Sequence, residues 1–287
     1  MVVRKRGSVS LRNALLVERQ VNLKRSDGFK EFLELIYQQF NTEGFVDTDP
    51  IFFPKTLQGN TEYIAFISAL FAYGKVNLIK GFLSNFFDRF GLNPFGIEPF
   101  KKHGLYYRFQ KEQDITVLCE FIRGVYQDYG SIEYFFTSKS LSLETSLEKF
   151  IEHARQFGFQ RGASEGYLFL FPKYGSSGLK RFRMFLRWMV RDRDIDFGLW
   201  KGYEKRELVF PVDTHILRFG KNIGALSSSS NTHLNALKIT DFFKIYDPED
   251  PLKYDFTITR LGMLNGCLFR KNSNCELCTI FDSCFFK

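Results

Sequence analysis

The chain is predicted to be an all-α protein, on two observations. Apolar residues recur at the three- and four-residue spacing of an α-helix in eight segments, and residues that start or stop helices stand near the ends of several of them. With 287 residues, of which 44% are hydrophobic, the chain can bury the core of one large or two modest domains. A chain of this composition is not expected to be disordered.

The predicted helices follow one another along most of the chain. Asn60 and Thr61 predict the start of the second helix, and Ser142 with Glu144 that of the fourth. Residues 1–26 are polar and basic and are expected to be partly ordered, whereas 227–230 are predicted to form a solvated loop. The predicted segments are 29–40, 63–90, 115–129, 143–157, 179–190, 214–223, 235–246 and 254–264, with Gly74, Gly91, Gly158 and Gly224 at or near breaks.

The charge balance favours an anionic partner. Lys and Arg number 40 against 32 Asp and Glu, which gives a net charge of +8 and a pI of about 9.1. Nucleic acid is one such partner, and a generally basic cytosolic protein is the alternative. The apolar run at 14–17 is too short for a signal peptide, and no apolar stretch reaches the length of a membrane span. The sequence therefore predicts a cytoplasmic protein without membrane contact, and we expect a monomer.

Four cysteines near the C-terminus indicate a metal loop. Cys267, Cys275, Cys278 and Cys284 follow the spacing Cys-x7-Cys-x2-Cys-x5-Cys, and the fifth cysteine, Cys119, stands alone in an apolar stretch. A disulfide framework is typical of small secreted domains. Zinc ribbons usually have two Cys-x2-Cys knuckles, and this loop has one. The pattern favours a [4Fe-4S] cluster, with structural zinc and unmetallated thiols as alternatives.

A glycine turn at 174–178 precedes the predicted helix 179–190. The backbone N–H groups of such a turn, which contains Gly175 and Gly178, can hold a phosphate oxygen of DNA, although an ordinary turn between helices has the same pattern. Lys180, Arg183, Arg187 and Arg191 recur at three- and four-residue spacing on one face of the helix. This row predicts either a DNA-binding stripe or a solvated surface.

The segment 210–218 contains a candidate catalytic carboxylate. Asp213 follows Val212 after a proline and precedes an apolar periodicity, which is typical of a helix N-cap. A carboxylate fixed in this way can also stabilise an oxocarbenium-like sugar or deprotonate a nucleophile. His215 is interpreted as a packing residue, and Arg218 could pair with a phosphate or with a nearby acid.

These motifs, in this order, resemble the helix-hairpin-helix DNA glycosylases of the endonuclease III and adenine glycosylase group. The matching residues are the glycine turn, Gly178-Leu179-Lys180, Val212-Asp213-Thr214-His215 and the C-terminal cysteine loop. The first cysteine gap is one residue longer than in that group, the group's Leu-Pro-Gly-x-Gly hairpin is replaced, and Lys180 and Asp213 lie 33 residues apart. The chain also resembles an uncharacterised bacterial family related to these glycosylases, in the blocks 180–181, 185–191, 200–202, 213–215 and 253–256.

The resemblance implies a fold and a set of roles. The fold would have two helical lobes, the middle one about 60–200 and the other formed by the N-terminal helices with about 210–265, followed by a metal loop at 266–287. Lys180 would be the amine nucleophile, Asp213 the essential carboxylate, and Tyr73 with Lys75 would lie near a flipped nucleotide. DNA contacts would come from Gly175, Gly178, Arg183, Arg187, Arg191 and Arg218.

The expected function is therefore removal of a damaged base from double-stranded DNA. The enzyme would be an N-glycosylase, with abasic-site lyase activity if Lys180 reaches C1′. The alternative is a DNA-binding protein without catalysis that is stabilised by an iron-sulfur cluster. In that case Asp213 would be only an N-cap.

Overall fold

The computed structural model describes residues 27–96, 98, 102–264 and 266–286, and within them the protein is all-α. These residues form twelve α-helices and several short 3-10 turns, and the β-structure among them is one isolated bridge between Tyr107 and Gln110. In chain order the helices are α1 Asp27–Phe40, α2 Phe52–Thr56, α3 Thr61–Leu70, α4 Val76–Phe90, α5 Glu112–Tyr129, α6 Ile132–Lys139, α7 Leu143–Gln160, α8 Glu165–Leu170, α9 Lys180–Val190, α10 Thr214–Asn222, α11 His233–Phe243 and α12 Asp255–Leu264.

The predicted helices are present, with two kinds of difference. The segment 63–90 is two helices, α3 and α4, because the chain turns at Gly74, whose φ of +105° favours glycine. The sequence missed α2, α6 and α8, which have five to eight residues and are too short to show a helical period. The N-terminal segment 1–26, which we expected to be partly ordered, lies outside the described residues.

Two helix starts confirm the capping predictions. The Asn60 side chain accepts a hydrogen bond from the backbone N–H of Tyr63 at 2.9 Å, and Ser142 is the N-cap of α7. These caps show that the boundaries of longer helices can be read from local sequence.

The chain divides into two compact units. The central unit comprises 43–211 and contains α2 to α9; the terminal unit combines the N-terminal residues up to 42 with 212 onward and contains α1, α10, α11 and α12. None of the described helices is both long enough and apolar enough to span a membrane.

The core of the central unit is rich in aromatic side chains. Helix α3 is almost entirely buried, and α9 packs against it. The Phe66 ring contacts Phe150 and Phe185 at centroid distances of 5.6 and 5.2 Å, edge-on in both cases. The phenylalanine content is therefore largely a packing feature.

A buried carboxylate joins several elements of this core. Glu62, near the start of α3, accepts hydrogen bonds from the Tyr126 hydroxyl, from the backbone N–H groups of Ile132 and Glu133, and from the Trp200 indole, at 2.6 to 2.9 Å. Because both of its oxygens have two donors, the cost of burying this carboxylate is offset. We interpret Glu62 as a structural residue.

The terminal unit is built around ring contacts between α1, α10 and α11. Phe29 of α1 contacts Phe219 of α10 at 6.3 Å and Phe242 of α11 at 6.0 Å. Helix α12 packs against both α1 and α10 and leads directly into the cysteine loop.

Candidate functional site

The four cysteines that the sequence grouped as metal ligands line one pocket of the terminal unit. Two short 3-10 turns, Ser273–Leu277 and Phe281–Ser283, fold the loop back on itself after α12. The pocket is lined by Cys267, Cys275, Cys278 and Cys284 together with Leu261, Arg270, Asn272, Asn274, Ile280, Phe281 and Phe286. All four thiols are only partly exposed.

Backbone N–H groups point at three of the sulfurs. Those of Phe269, Asn272 and Phe286 donate to the Sγ atoms of Cys267, Cys275 and Cys284 at 3.3, 3.3 and 3.4 Å. Hydrogen bonds of this kind favour thiolate over thiol and are one of the features that tune iron-sulfur clusters.

Cys267 lies in a partly buried environment. Burial, with a smaller contribution from the other three cysteines, raises the pKa of its thiol to about 11, although the N–H of Phe269 opposes the shift. A thiol in such surroundings becomes a thiolate readily only when a cation is bound beside it. Four thiols are a donor set that iron-sulfur and zinc sites use. Among the described residues, however, no group of three or more His, Cys, Asp or Glu side chains has an arrangement that could hold a metal ion.

Asp213 is the N-cap of α10. Its Oδ1 accepts hydrogen bonds from the backbone N–H groups of His215 at 2.8 Å and Ile216 at 2.9 Å, and the residue is half-buried. The capping role predicted for Asp213 is therefore present.

Helix α10 connects Asp213 to the cysteine loop. At its C-terminal end, the Asn222 amide donates to the carbonyl of Leu268 at 2.9 Å, and the Phe219 ring contacts Phe269 at 5.1 Å. Near its N-terminal end, the His215 imidazole lies so close to Gly262 of α12 that a side-chain carbon at position 262 would overlap it. The position of the Asp213 carboxylate therefore depends on contacts with α12 and with the cysteine loop.

The glycine turn joins α8 to α9 in the central unit. Gly175 is exposed with a φ of +78°, and Gly178 is buried. Leu179, the N-cap of α9, has a φ of +52°, which is uncommon for a residue with a side chain. Lys180 is half-buried at the first position of α9. Lys180 belongs to the central unit and Asp213 to the terminal unit, as the predicted division into lobes at about 60–200 and 210–265 implies.

The basic row on α9 does not form an exposed stripe. Arg183, Arg187 and Arg191 are only 1%, 4% and 3% exposed. Arg183 makes two bonds with Glu144, at 2.8 and 3.0 Å. Their burial corrects the prediction that these three side chains face DNA.

Acids from outside the helix pair with the other two arginines. The fully buried side chain of Asp196 accepts from Arg187 and Arg191, both at 3.0 Å, and Asp194 pairs with Arg191 at 2.6 Å. Like charges at this helical spacing repel one another, and these acids relieve the repulsion. The helical pattern of α9 does not reveal them. The row is therefore an internal ion-pair network.

Comparison with known proteins assigns the chain to a family. A profile of DUF2400, described as a protein family of unknown function, matches residues 49–264. The chain belongs to this family. Neither the curated proteins nor the solved structures contain a significant match. The DUF2400 region includes Tyr73, Lys180 and Asp213 and ends before Cys267, so the cysteine loop lies outside it.

The remaining predicted residues have mixed surroundings. Arg218 is half-buried on α10, and Lys75 is exposed as the N-cap of α4. Tyr73 is half-buried, and its hydroxyl donates to Gln110 Oε1. Because burial raises the pKa of Tyr73, this phenol stays protonated at neutral pH and can act as the donor.

Sequence reasoning missed the neighbours of Tyr73 within the DUF2400 region. The Phe109 and Phe169 rings lie beside it, together with the guanidinium groups of Arg108 and Arg181. No spacing in the sequence links these residues, because they come from the turn after α3, the turn before α5, and helices α8 and α9. The adjacent Arg108-Phe109 pair was the only local signal.

Proposed function

We propose that this protein is a DNA base-excision enzyme that carries an iron-sulfur cluster. The observation that carries the proposal is the fixed orientation of the Asp213 carboxylate at the start of a helix whose other end packs on a loop with four thiols. The net charge of +8 and the glycine turn before Lys180 also favour a DNA partner.

The carboxylate has a defined task in this reaction. As the N-glycosidic bond breaks, positive charge develops on the sugar, and an oriented carboxylate stabilises that charge. If the Lys180 amine attacks C1′, it displaces the base and forms a Schiff base. Loss of a proton from C2′ then breaks the bond to the 3′ phosphate, which cleaves the strand.

The cluster would be held by Cys267, Cys275, Cys278 and Cys284, whose side chains would have to rearrange around it, because their arrangement among the described residues is not one that holds a metal ion. Bound there, it would cross-link the loop against α10 and add a fixed charge, and structural zinc is the competing cofactor. Anaerobic reconstitution with iron and sulfide should produce the visible absorption of a [4Fe-4S] cluster, and Cys278→Ser should reduce it. Stoichiometric zinc without sulfide would contradict the cluster.

The enzymatic part is tested with borohydride trapping and base release on duplexes that carry an abasic site or damaged bases. Asp213→Asn is informative because asparagine caps helices as well as aspartate does, so the variant keeps the fold and loses the carboxylate chemistry. We expect it to bind DNA normally and to release base at least about 100-fold more slowly. Lys180→Ala should abolish the covalent adduct, whereas Lys173→Ala, at an exposed lysine beside the same turn, should not.

A DNA-binding protein without catalysis is the second candidate. It is favoured by the two backbone bonds to Asp213 Oδ1, which suffice to explain an aspartate at this position. Tight, salt-sensitive DNA binding with no adduct and no base release on any duplex would support this candidate and exclude the first.

A further inference from the structure

Three aromatic rings and two guanidinium groups form a cluster on the central unit, which we call the aromatic platform. It consists of Tyr73, Arg108, Phe109, Phe169 and Arg181. The Tyr73 and Phe109 rings are parallel within 2° at 6.3 Å between centroids. Phe169 lies 5.0 Å from Tyr73 and 4.8 Å from Phe109. The platform therefore joins residues from four separate segments.

The two phenylalanines of the platform are exposed. Phe109 is 52% and Phe169 40% exposed, although each belongs to a residue type that proteins usually bury. The hydrophobic effect favours covering such rings, and adjacent exposed aromatic side chains are typical of binding surfaces. Their exposure is the first sign of a ligand.

The guanidinium groups lie over the rings. Arg108 is 5.6 Å from the Tyr73 centroid and 5.4 Å from that of Phe109. Arg181 is 5.1 Å from Tyr73 and 4.8 Å from Phe169. These distances are within the range of cation–π interactions, so the platform combines flat apolar faces with positive charge.

Hydrogen bonds hold the platform in place. Tyr107 and Gln110 exchange backbone hydrogen bonds at 3.0 and 2.9 Å and close the turn that presents Phe109. The Gln110 amide donates to the carbonyl of Gly166 at 2.6 Å. Arg181 donates to the carbonyls of Leu70 and Phe169 at 2.8 and 2.5 Å. A surface that is ordered before binding loses less conformational entropy when it binds.

An open pocket of about 700 Å³ adjoins the platform. Phe109 and Phe169 line it, together with two cations, Lys111 and Arg155, and one carboxylate, Glu165. The volume is that of a small-molecule site, and the cations are suited to a phosphate beside a stacked ring.

We propose that the aromatic platform binds an unpaired base of single-stranded DNA, with Lys111 and Arg155 near the adjacent phosphates. Aromatic faces beside basic side chains are the common features of surfaces that bind single strands, because every base can stack on a ring. The proposal rests on DNA being the partner, as in the proposed function, but not on catalysis by Asp213 or Lys180.

The test measures the binding of a fluorescent single-stranded DNA oligonucleotide to the full chain by anisotropy. Phe109→Ala and Phe169→Ala should each weaken binding roughly tenfold, and Phe109→Trp should retain it, because stacking is lost in the first two and kept in the third. The matched control is Phe95→Ala, because Phe95 is also exposed, at 55%. Its ring contacts Tyr126, which lies about 22 Å along α5 from Lys111 and so away from the platform.

Two results would overturn the proposal. One is the absence of DNA binding by the wild type, or, where it binds, an affinity of Phe109→Ala and Phe169→Ala no lower than that of Phe95→Ala; either means that the platform does not carry strand binding. The other is a Phe109→Ala variant with unchanged DNA affinity but reduced self-association in sedimentation, which would make the platform an interface between copies of the chain.

Base release is measured in parallel and keeps the two proposals distinguishable. Loss of strand binding in the phenylalanine variants, in a protein that excises no base, would support the platform and reject the enzyme. If both base release and strand binding are unchanged in those variants, the enzyme is supported and the platform is rejected.

Discussion

The arginines of α9 and its C-cap have two opposite kinds of surroundings. Arg183, Arg187 and Arg191 point into the central unit and pair with carboxylates, whereas Arg181 bonds to two backbone carbonyls and lies over the rings of the aromatic platform. Arg181 and Arg187 are six residues apart, which places them on different sides of the helix. A basic helix can therefore direct its regular row of charges inward and a single arginine outside that row toward the surface.

The buried arginines and Arg181 should also contribute to different free energies, those of folding and of binding respectively. A buried ion pair contributes little relative to an apolar pair of the same shape, but removal of one partner leaves a charge without compensation. Burial lowers the pKa of Arg181 to about 10, so its guanidinium group remains charged at neutral pH. That charge is available to a ligand bound at the aromatic platform. The stability of the fold should therefore depend on Arg183, Arg187 and Arg191, and the binding of a ligand on Arg181.

The largest effect is expected at Asp196. Asp196→Ala removes the carboxylate that Arg187 and Arg191 share, and we expect the free energy of unfolding to fall by about 3–5 kcal/mol. Urea denaturation followed by tryptophan fluorescence measures it, because Trp188 and Trp200 both lie in the central unit. Asp192→Ala is the matched control: its carboxylate is 55% exposed, and its loss should cost about 1 kcal/mol or less. Equal effects of the two variants would contradict the structural role of the row.

Arg181→Lys should affect both stability and binding. Lysine cannot donate to the carbonyls of Leu70 and Phe169 while lying over both rings, so we expect a loss of about 2 kcal/mol in unfolding free energy. Binding of single-stranded DNA should weaken several-fold in the same variant, measured by anisotropy below the onset of unfolding. If stability fell but affinity did not, Arg181 would have only a structural role.

The salt dependence of binding sharpens the role of the surface charges. Lys111→Gln should reduce the slope of log affinity against log salt by about 0.7, the contribution of one phosphate contact on a single strand. Arg206→Gln provides the control, since Arg206 is an exposed cation of the same unit that pairs with Glu204. An unchanged slope in Lys111→Gln would show that Lys111 does not contact a phosphate.

The smallest effect concerns an ion pair of intermediate exposure in the terminal unit. Burial tends to raise the pKa of Glu34, but its bonds with Lys253 and Tyr254 outweigh that tendency and lower the pKa below 4.5. Because the folded-state pKa is lowered, the stabilisation is complete above pH 4.5 and is lost as the pH falls through the lower value. Glu34→Gln should therefore reduce stability by about 1 kcal/mol or less at pH 7, and the difference should vanish in acid. Thermal unfolding of the wild type and Glu34→Gln, followed by circular dichroism across that pH range, measures the difference. A difference that persists in acid would contradict the assignment.

Much of the fold could be read from the sequence, because it depends on local interactions. The 3.6-residue period and the caps at Asn60, Ser142 and Asp213 are properties of neighbouring residues. Short helices such as α6 and α8 could not be found in this way, because their formation depends on tertiary packing more than on a periodic pattern.

By itself, the sequence determined the all-α class, the capping role of Asp213 and the grouping of the four cysteines, which lie close together in the chain. Only the tertiary structure decided which cations are buried and which aromatic rings share a surface. Asp196 and Glu144 reach the arginines of α9 from outside that helix, and Phe109 meets Phe169 across 60 residues of chain. A helical pattern records which residues share a face; the elements packed against that face decide its partners and its exposure.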